Sequence, residues 1–222
     1  MLLKTNASGT VAGVDVGGTR KGCHLVILRG RDIVCVVKSS NPEDLYELCL
    51  RHDVTAVGID APCRWSLNGA GRRAEKELAT ERIFCFSTPT RERAQESASG
   101  FYGWMLSGER VFQTFAPMYP LLTETRYTGG RVTFETFPHA ITCSLLGREV
   151  ASAKLKQVQR RRLLEDAGIE TTSLSSIDAV DAALCALTAQ LLLQRKTRAY
   201  GDAYGGYIFV PDADLREVRS LG

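Results

Sequence analysis

VAGVDVGGTRKGCHLVILRGRDIVCVVKSSNPEDLYELCLRHDVTAVGID, residues 11–60, sets three apolar runs, one helix opening and a fourth apolar run one after another. Residues 11–17 read as a buried strand that ends in the Gly17-Gly18 turn. Residues 22–29 and 32–38 read as two more strands, split by Gly30-Arg31. Connections this short make an antiparallel hairpin or meander. Asn41-Pro42 then opens a helix, with Asn41 as N-cap and Pro42 at the first helical position, where its missing N–H is not needed. That helix runs to about His52, and a fourth strand, 55–60, stops at Ala61-Pro62. The order β-β-β-α-β predicts an α/β fold built on a mixed sheet.

Outward from this block the pattern is mixed. Helical stretches at 72–80, 92–107 and 111–124 are interrupted by Pro89, Gly100, Gly103, Gly108 and Pro117. A fifth strand, 131–137 (RVTFETF), ends at Pro138, and helices follow at 139–147, 153–167 and 175–195. Residues 206–210 (GYIFV) read as a short last strand. No internal repeat or linker divides the chain. The economical reading of its 222 residues is one domain, 1–222, with flanking helices and a helical insertion over about 63–130.

An apolar share of 44% and a charged share of 24% exclude disorder, collagen and coiled coil. No run approaches the roughly 20 apolar residues of a membrane span, and the opening MLLKTNASGT lacks the apolar core of an export signal. The seven cysteines are odd in number and widely spaced, without a CxxC pair. That argues against a disulfide framework and against a zinc cluster, and fits a cytoplasmic protein. The net charge of +3 is compatible with nucleic acid without requiring it.

Acidic residues stand where such a sheet would gather a site. Asp15 lies inside the apolar first strand and Asp60 at the end of the apolar fourth. A carboxylate in such a place is costly unless it is paired, hydrogen-bonded or holding a metal. Sites in α/β sheets collect at the carboxyl ends of parallel strands. In SSIDAVDAALCALTA (175–189), Asp178 and Asp181 are three apart and share one helix face. The apolar stripe Ile177, Val180, Leu184, Leu187 and Leu191 puts Asp181 on its shoulder and Asp178 slightly further out. Asp178 is equally well read as a first-turn acid favoured by the helix dipole, with Ser175 or Ser176 as cap; Asp181 is not. Glu135 alternates with Thr133 and Phe137 on one face of the fifth strand. It reads as a metal ligand, as the partner of an arginine beside the site, or as an edge-strand charge.

Carboxylates converging from two strands and a helix suit Mg²⁺ or Mn²⁺. Two such ions about 3.5–4 Å apart serve phosphodiester hydrolysis. Of the three histidines, His139 alone falls near a candidate residue in the sequence, at a helix start. Arg20 and Lys21 beside the first acid, and Arg64 after the second, are the candidates for phosphate contact. Lys154, Lys156, Arg160, Arg161 and Arg162 form a basic cluster that reads either as a solvated helix face or as a phosphate surface. Phe101, Tyr102 and Trp104 are placed to stack on bases or to anchor the insertion.

The first-strand Asp15, fourth-strand Asp60 and late helical DAxDA are similar to the ribonuclease H-like fold, and the late motif resembles that of its Holliday-junction resolvases. GVDVGGTRKGCH, GIDAPCRW, the arginine-rich stretch after it, FETFPHA and SSIDAVDAALCALTA together resemble domain of unknown function 429, described as predicted ribonuclease H-like nucleases. The resemblance runs from about Val11 to Pro211. It implies a divalent-metal nuclease acting on DNA or RNA, with Asp15, Asp60, Asp178 and Asp181 as metal-binding set, Asp15 bridging, and Glu135 close by. Asp60 departs from the resolvase pattern, which has a glutamate there. Resolvases of the fold act as dimers, so the resemblance also implies a homodimer. Two other readings compete. DVGGT resembles the phosphate loop of sugar kinases and other actin-like ATPases, although those need two facing domains. A nucleic-acid-binding protein without turnover would keep the fold but has no use for four clustered acids.

Overall fold

The computed structural model describes residues 9–18 and 20–216. The opening stretch read for an export signal and Thr19 of the DVGGT loop lie outside the described residues, apart from Gly9 and Thr10. Strands β1 (Thr10–Val16), β2 (Cys23–Arg29) and β3 (Asp32–Ser39) form the antiparallel meander expected from their short turns. Helix α1 (Pro42–Arg51) follows, and β4 (Val54–Asp60) returns parallel to β1. Asn41 stands at the N-cap in extended conformation, but its side chain bonds Asp44 instead of capping the backbone.

Helices α2 (Arg73–Thr80), α3 (Arg91–Gln95) and α4 (Gly103–Phe115) lead to β5 (Val132–Glu135) and α5 (Pro138–Leu146). Then come α6 (Lys156–Asp166), α7 (Ile177–Leu193), β6 (Thr197–Asp202) and β7 (Gly206–Pro211). The strands form one seven-stranded sheet in the order β3-β2-β1-β4-β5-β7-β6, with β1, β4, β5 and β7 parallel. A three-stranded meander, a helical crossover and a fourth strand laid beside the first make this a mixed α/β sheet of the ribonuclease H-like kind.

Two expectations fail between β4 and β5. The helices expected over 92–107 and 111–124 are instead a five-residue α3 and a thirteen-residue α4. The chain turns at Gly100, while Gly108 sits inside α4 against Ala61. Beyond Phe115, Pro117 cannot donate to a helix. The chain instead runs alongside β5, with Leu122 N donating to Thr133 O and Thr133 N to Pro120 O. Strand β6 was not anticipated: TRAYGD has no apolar alternation because it is a half-exposed edge strand.

The sheet is covered on both faces. Leu45 and Cys49 of α1 and Val111, Phe112 and Phe115 of α4 pack on Ala12, Val14 and Val16 of β1. Helix α7 packs on the other face, over Val11, Val26, Leu28 and Ala56. Its approach is close because Gly13 and Gly58 lie under it. A Cβ on Gly13 would sit 2.0 Å from the Ala182 carbonyl, and one on Gly58 would sit 2.7 Å from that of Cys185. The expected single apolar stripe is therefore too narrow a description of α7, which is buried around its whole circumference from Ala179 to Leu192. Leu163, Leu164 and Ile141 cover its outer side.

Candidate metal centre

Strand alternation puts Val11, Gly13 and Asp15 on the α7 face of β1. The registers then set His24 of β2 directly opposite Asp15, and Asp60 of β4 directly opposite on the other side. His24, Asp15 and Asp60 thus form one row across the carboxyl end of the parallel strands. Above the row stands the first turn of α7. Ser176 caps it, its Oγ accepting from Ala179 N at 3.1 Å, which fixes Asp178 in the first turn. Asp178 is half-buried and Asp181 buried. Both the cap and the shoulder position expected of these two acids are present.

The cluster is electrostatically loaded. Burial, followed by the neighbouring charges of Asp181 and Asp178, raises the Asp15 carboxyl from 3.8 to about 7. Burial and then Asp15 and Asp181 push Asp60 well above the carboxylate range. Burial raises Asp181 as well, against the opposing pull of Arg160. Two cations hold the group together. Lys21 Nζ donates to Asp178 Oδ1 at 2.8 Å, and Arg160 Nη1 lies 2.6 and 2.5 Å from the two oxygens of Asp181.

His24 is 9% exposed, and its buried Nδ1 has no hydrogen-bond partner. Asp178 Oδ2 is 4.0 Å from it, too far for a hydrogen bond. Burial lowers the imidazole's pKa below its ordinary value, partly opposed by Asp178, so the ring tends to the neutral form, in which one nitrogen keeps a lone pair. Ligand atoms of Asp15, His24 and Asp178 all lie within 4.8 Å of one another. That spread is close to the ~4.2 Å between two ligands on opposite sides of an ion at about 2.1 Å. An unpartnered imidazole nitrogen facing two carboxylates is a donor set that fits a divalent cation, and the nitrogen weights it toward Mn²⁺ over Mg²⁺.

Glu135 is not brought into this cluster. Val132 and Phe134 face α7, so Glu135 alternates to the opposite side of the sheet. Its oxygens accept from Arg72 Nη1 and Nη2 at 2.7 Å each, and Oε2 also accepts from Cys63 N at 2.8 Å. Arg72 in turn donates from Nε to Glu75 at 2.9 Å. Of the three readings of Glu135, partnership with an arginine is what the contacts describe.

The basic residues divide. Arg20 and Arg64 are exposed near the two strand ends, whereas Lys21 is engaged with Asp178. The 154–162 cluster is neither a plain solvated face nor a uniform phosphate surface. Arg160 turns inward to Asp181, Arg161 donates to the carbonyls of Thr171 and Leu174, and Arg162 pairs with Asp166 at 2.9 Å. Lys154 and Lys156 remain exposed. Of the three aromatics, Trp104 anchors the insertion against the core on the α1 and α4 face, whereas Phe101 is 50% exposed and packs edge-on against Phe86 and Tyr102.

His139 stands at the start of α5 as expected, packing against Phe137 and lying 3.6 Å from Cys143 Sγ, but it is not the histidine nearest the acids. His24 is the histidine of the site. Its signal was present in the spacing itself, since a hairpin that pairs position 16 with position 23 also pairs position 15 with position 24.

The chain is similar to RuvC of Thermus thermophilus at 17% identity and a TM-score of 0.41, over 83% of this chain and 96% of that one. It is also similar to the nuclease domain of the large terminase subunit gp2 of bacterial virus Sf6, at 8% identity and a TM-score of 0.29, over 96% of this chain and 86% of that one. These likenesses are distant, and the strand order is what places the fold. None of the curated proteins matches the chain. A family profile does match residues 13–204, most of the sheet and every acid of the cluster, and the chain belongs to that family, described as protein of unknown function (DUF429).

Proposed function

We propose that this chain is a divalent-metal-dependent nuclease that hydrolyses phosphodiester bonds in DNA or RNA, with Asp15, Asp60, Asp178 and Asp181 as its carboxylate set. The observation that carries the reading is the row of Asp15, His24 and Asp60 under Asp178 and Asp181, with a buried His24 nitrogen left without a partner. Acids whose ionisation is this unfavourable make poor structural groups and good cation ligands. In this reading Asp15, Asp178 and His24 hold the cation, with Asp60 beside them. A bound Mn²⁺ or Mg²⁺ would stabilise negative charge on the leaving oxygen and lower the pKa of the attacking water.

The chain's own residues do the rest. Lys21 holds one oxygen of Asp178 and leaves the other turned toward His24. Glu135 works at one remove: by clamping Arg72 and the Cys63 amide it fixes the backbone just after Asp60. Arg20 and Arg64, exposed on either side, are the phosphate contacts. The turn glycines serve the hairpin, with Gly17 N donating to Gly22 O and Lys21 N to Gly18 O, which leaves a kinase-type phosphate loop without support.

The test is Mn²⁺-dependent cleavage of a labelled panel of single-stranded DNA, duplex, four-way junction, RNA and RNA–DNA hybrid. Cleavage of one class, lost in chelator and in Asp15→Asn, is the expected result and names the substrate. Absence of cleavage across the panel, with Mn²⁺ bound, refutes the nuclease reading.

A further inference from the structure

We propose that this site takes one divalent cation, at Asp15, His24 and Asp178, and that the Arg160 guanidinium is a built-in second cation standing against Asp181 where a second metal ion would otherwise be needed. The inference rests on the metal-centre reading above and fixes its stoichiometry.

Three observations carry it. First, Arg160 is a buried arginine, 7% exposed, reaching from α6 into the carboxylate cluster. Its Nη1 is shared between both oxygens of Asp181 at 2.6 and 2.5 Å, while its buried Nε has no hydrogen-bond partner. Burying a guanidinium with one nitrogen unsatisfied is costly, and the two arginines that follow it take ordinary partners on the outside of the same helix. The cost is offset only where a concentrated negative charge needs a fixed counter-charge, and Arg160 acts on Asp15 and Asp60 as well as on Asp181.

Second, the donors are already apportioned. Both oxygens of Asp181 already accept from Arg160, so an ion on this carboxylate would have to share it with a guanidinium charge. Asp15, His24 and Asp178 keep ligand atoms within 4.8 Å of one another, a set that does not include Asp181. Third, the charges balance. Four carboxylates set against Lys21 and Arg160 leave two negative charges when all are ionised, which one divalent ion neutralises. A second ion would leave an uncompensated double positive charge in a largely buried site. A guanidinium held in place presents its charge to a developing phosphorane without reorganisation, which is the electrostatic part of a second metal's work.

The experiment is Mn²⁺ titration of the metal-free full-length chain, followed by calorimetry and by loss of the free-ion electron paramagnetic resonance signal. Wild type is expected to bind one Mn²⁺ per chain. His24→Ala should weaken that binding at least tenfold, while Asp181→Asn should leave the stoichiometry at one and the affinity within a few-fold. Arg160→Met, which keeps the length of the side chain and removes its charge, should admit a second Mn²⁺. The His24 and Asp181 variants decide the matter if Arg160→Met does not fold. Two ions bound to wild type would overturn the proposal and leave the metal-centre reading intact. So would one ion whose binding is abolished by Asp181→Asn and untouched by His24→Ala. No binding at all to wild type would overturn both.

Discussion

Asp15 has His24 on one side, Asp60 on the other, and Asp178 and Asp181 above, so its ionisation opposes both desolvation and like charge. Its folded pKa of about 7, against 3.8 for the free group, has a definite sign in stability. Between those values the folded chain holds a proton that the unfolded chain has lost, so metal-free stability falls as pH rises through that window. Thermal melts in chelator should show the midpoint dropping from pH 4 to pH 7 and levelling above it. Asp15→Asn should flatten that slope and leave the metal-free protein about 1–3 kcal/mol more stable than wild type at pH 8, while cleavage falls at least a hundredfold. A variant that is less stable than wild type at pH 8 would mean that Asp15 is a satisfied structural acid. Mn²⁺ should restore the lost stability of wild type and leave the variant unmoved.

Two contacts between elements set the position of the cluster. Helix α7 is brought onto the sheet through Gly13 and Gly58, and its height above β1 fixes that of Asp178 and Asp181 above Asp15. Gly13→Ala would drive a methyl into the Ala182 carbonyl, where the obstacle is backbone and cannot rotate away. It should cost about 3 kcal/mol or more in urea unfolding and lower Mn²⁺ affinity in whatever folds. On the opposite face, Arg72 joins α2 to β5 by holding Glu75 and Glu135 together. Arg72→Met leaves both acids buried without their cation and should cost roughly 3–5 kcal/mol. Glu135→Gln keeps the shape and an acceptor for Cys63 N, and should cost less. A cost below about 1 kcal/mol for Arg72→Met would mean that the ion pair does not hold this corner.

For the whole molecule, the prediction concerns charge. The net charge is +3, yet Lys21, Arg72 and Arg160 are committed internally. Nucleic-acid binding should therefore rest on a few exposed cations near the strand ends. Affinity of Asp15→Asn for the preferred substrate, measured by fluorescence anisotropy in chelator, should fall steeply with salt. Arg20→Ala together with Arg64→Ala should reduce the slope of log K against log salt by about 2. An unchanged slope would remove both arginines from the interface. Among the described residues no helix is long and apolar enough to cross a membrane.

The β-β-β-α-β order and the places of Asp15, Asp60, Asp178 and Asp181 at strand ends and in a helix were legible in the chain, because alternation, short turns and helix caps are local and each is read within about ten residues. The same locality explains what was missed. Residues 92–124 look helical by composition, but Gly100 and Pro117 divide them and β5 recruits the remainder. Strand β6 exists only because β7 lies beside it. Tertiary structure alone decided which of three consecutive arginines turns inward, since Arg160 meets Asp181 across 21 residues and no periodicity ranks it above Arg161 or Arg162. The pairing of Glu135 with Arg72, 63 residues apart, is of the same kind. The sequence by itself determined where the acids lie. Which cations neutralise them was settled only when distant side chains were packed into one water-poor space, where every charge must find its counter-charge or a proton.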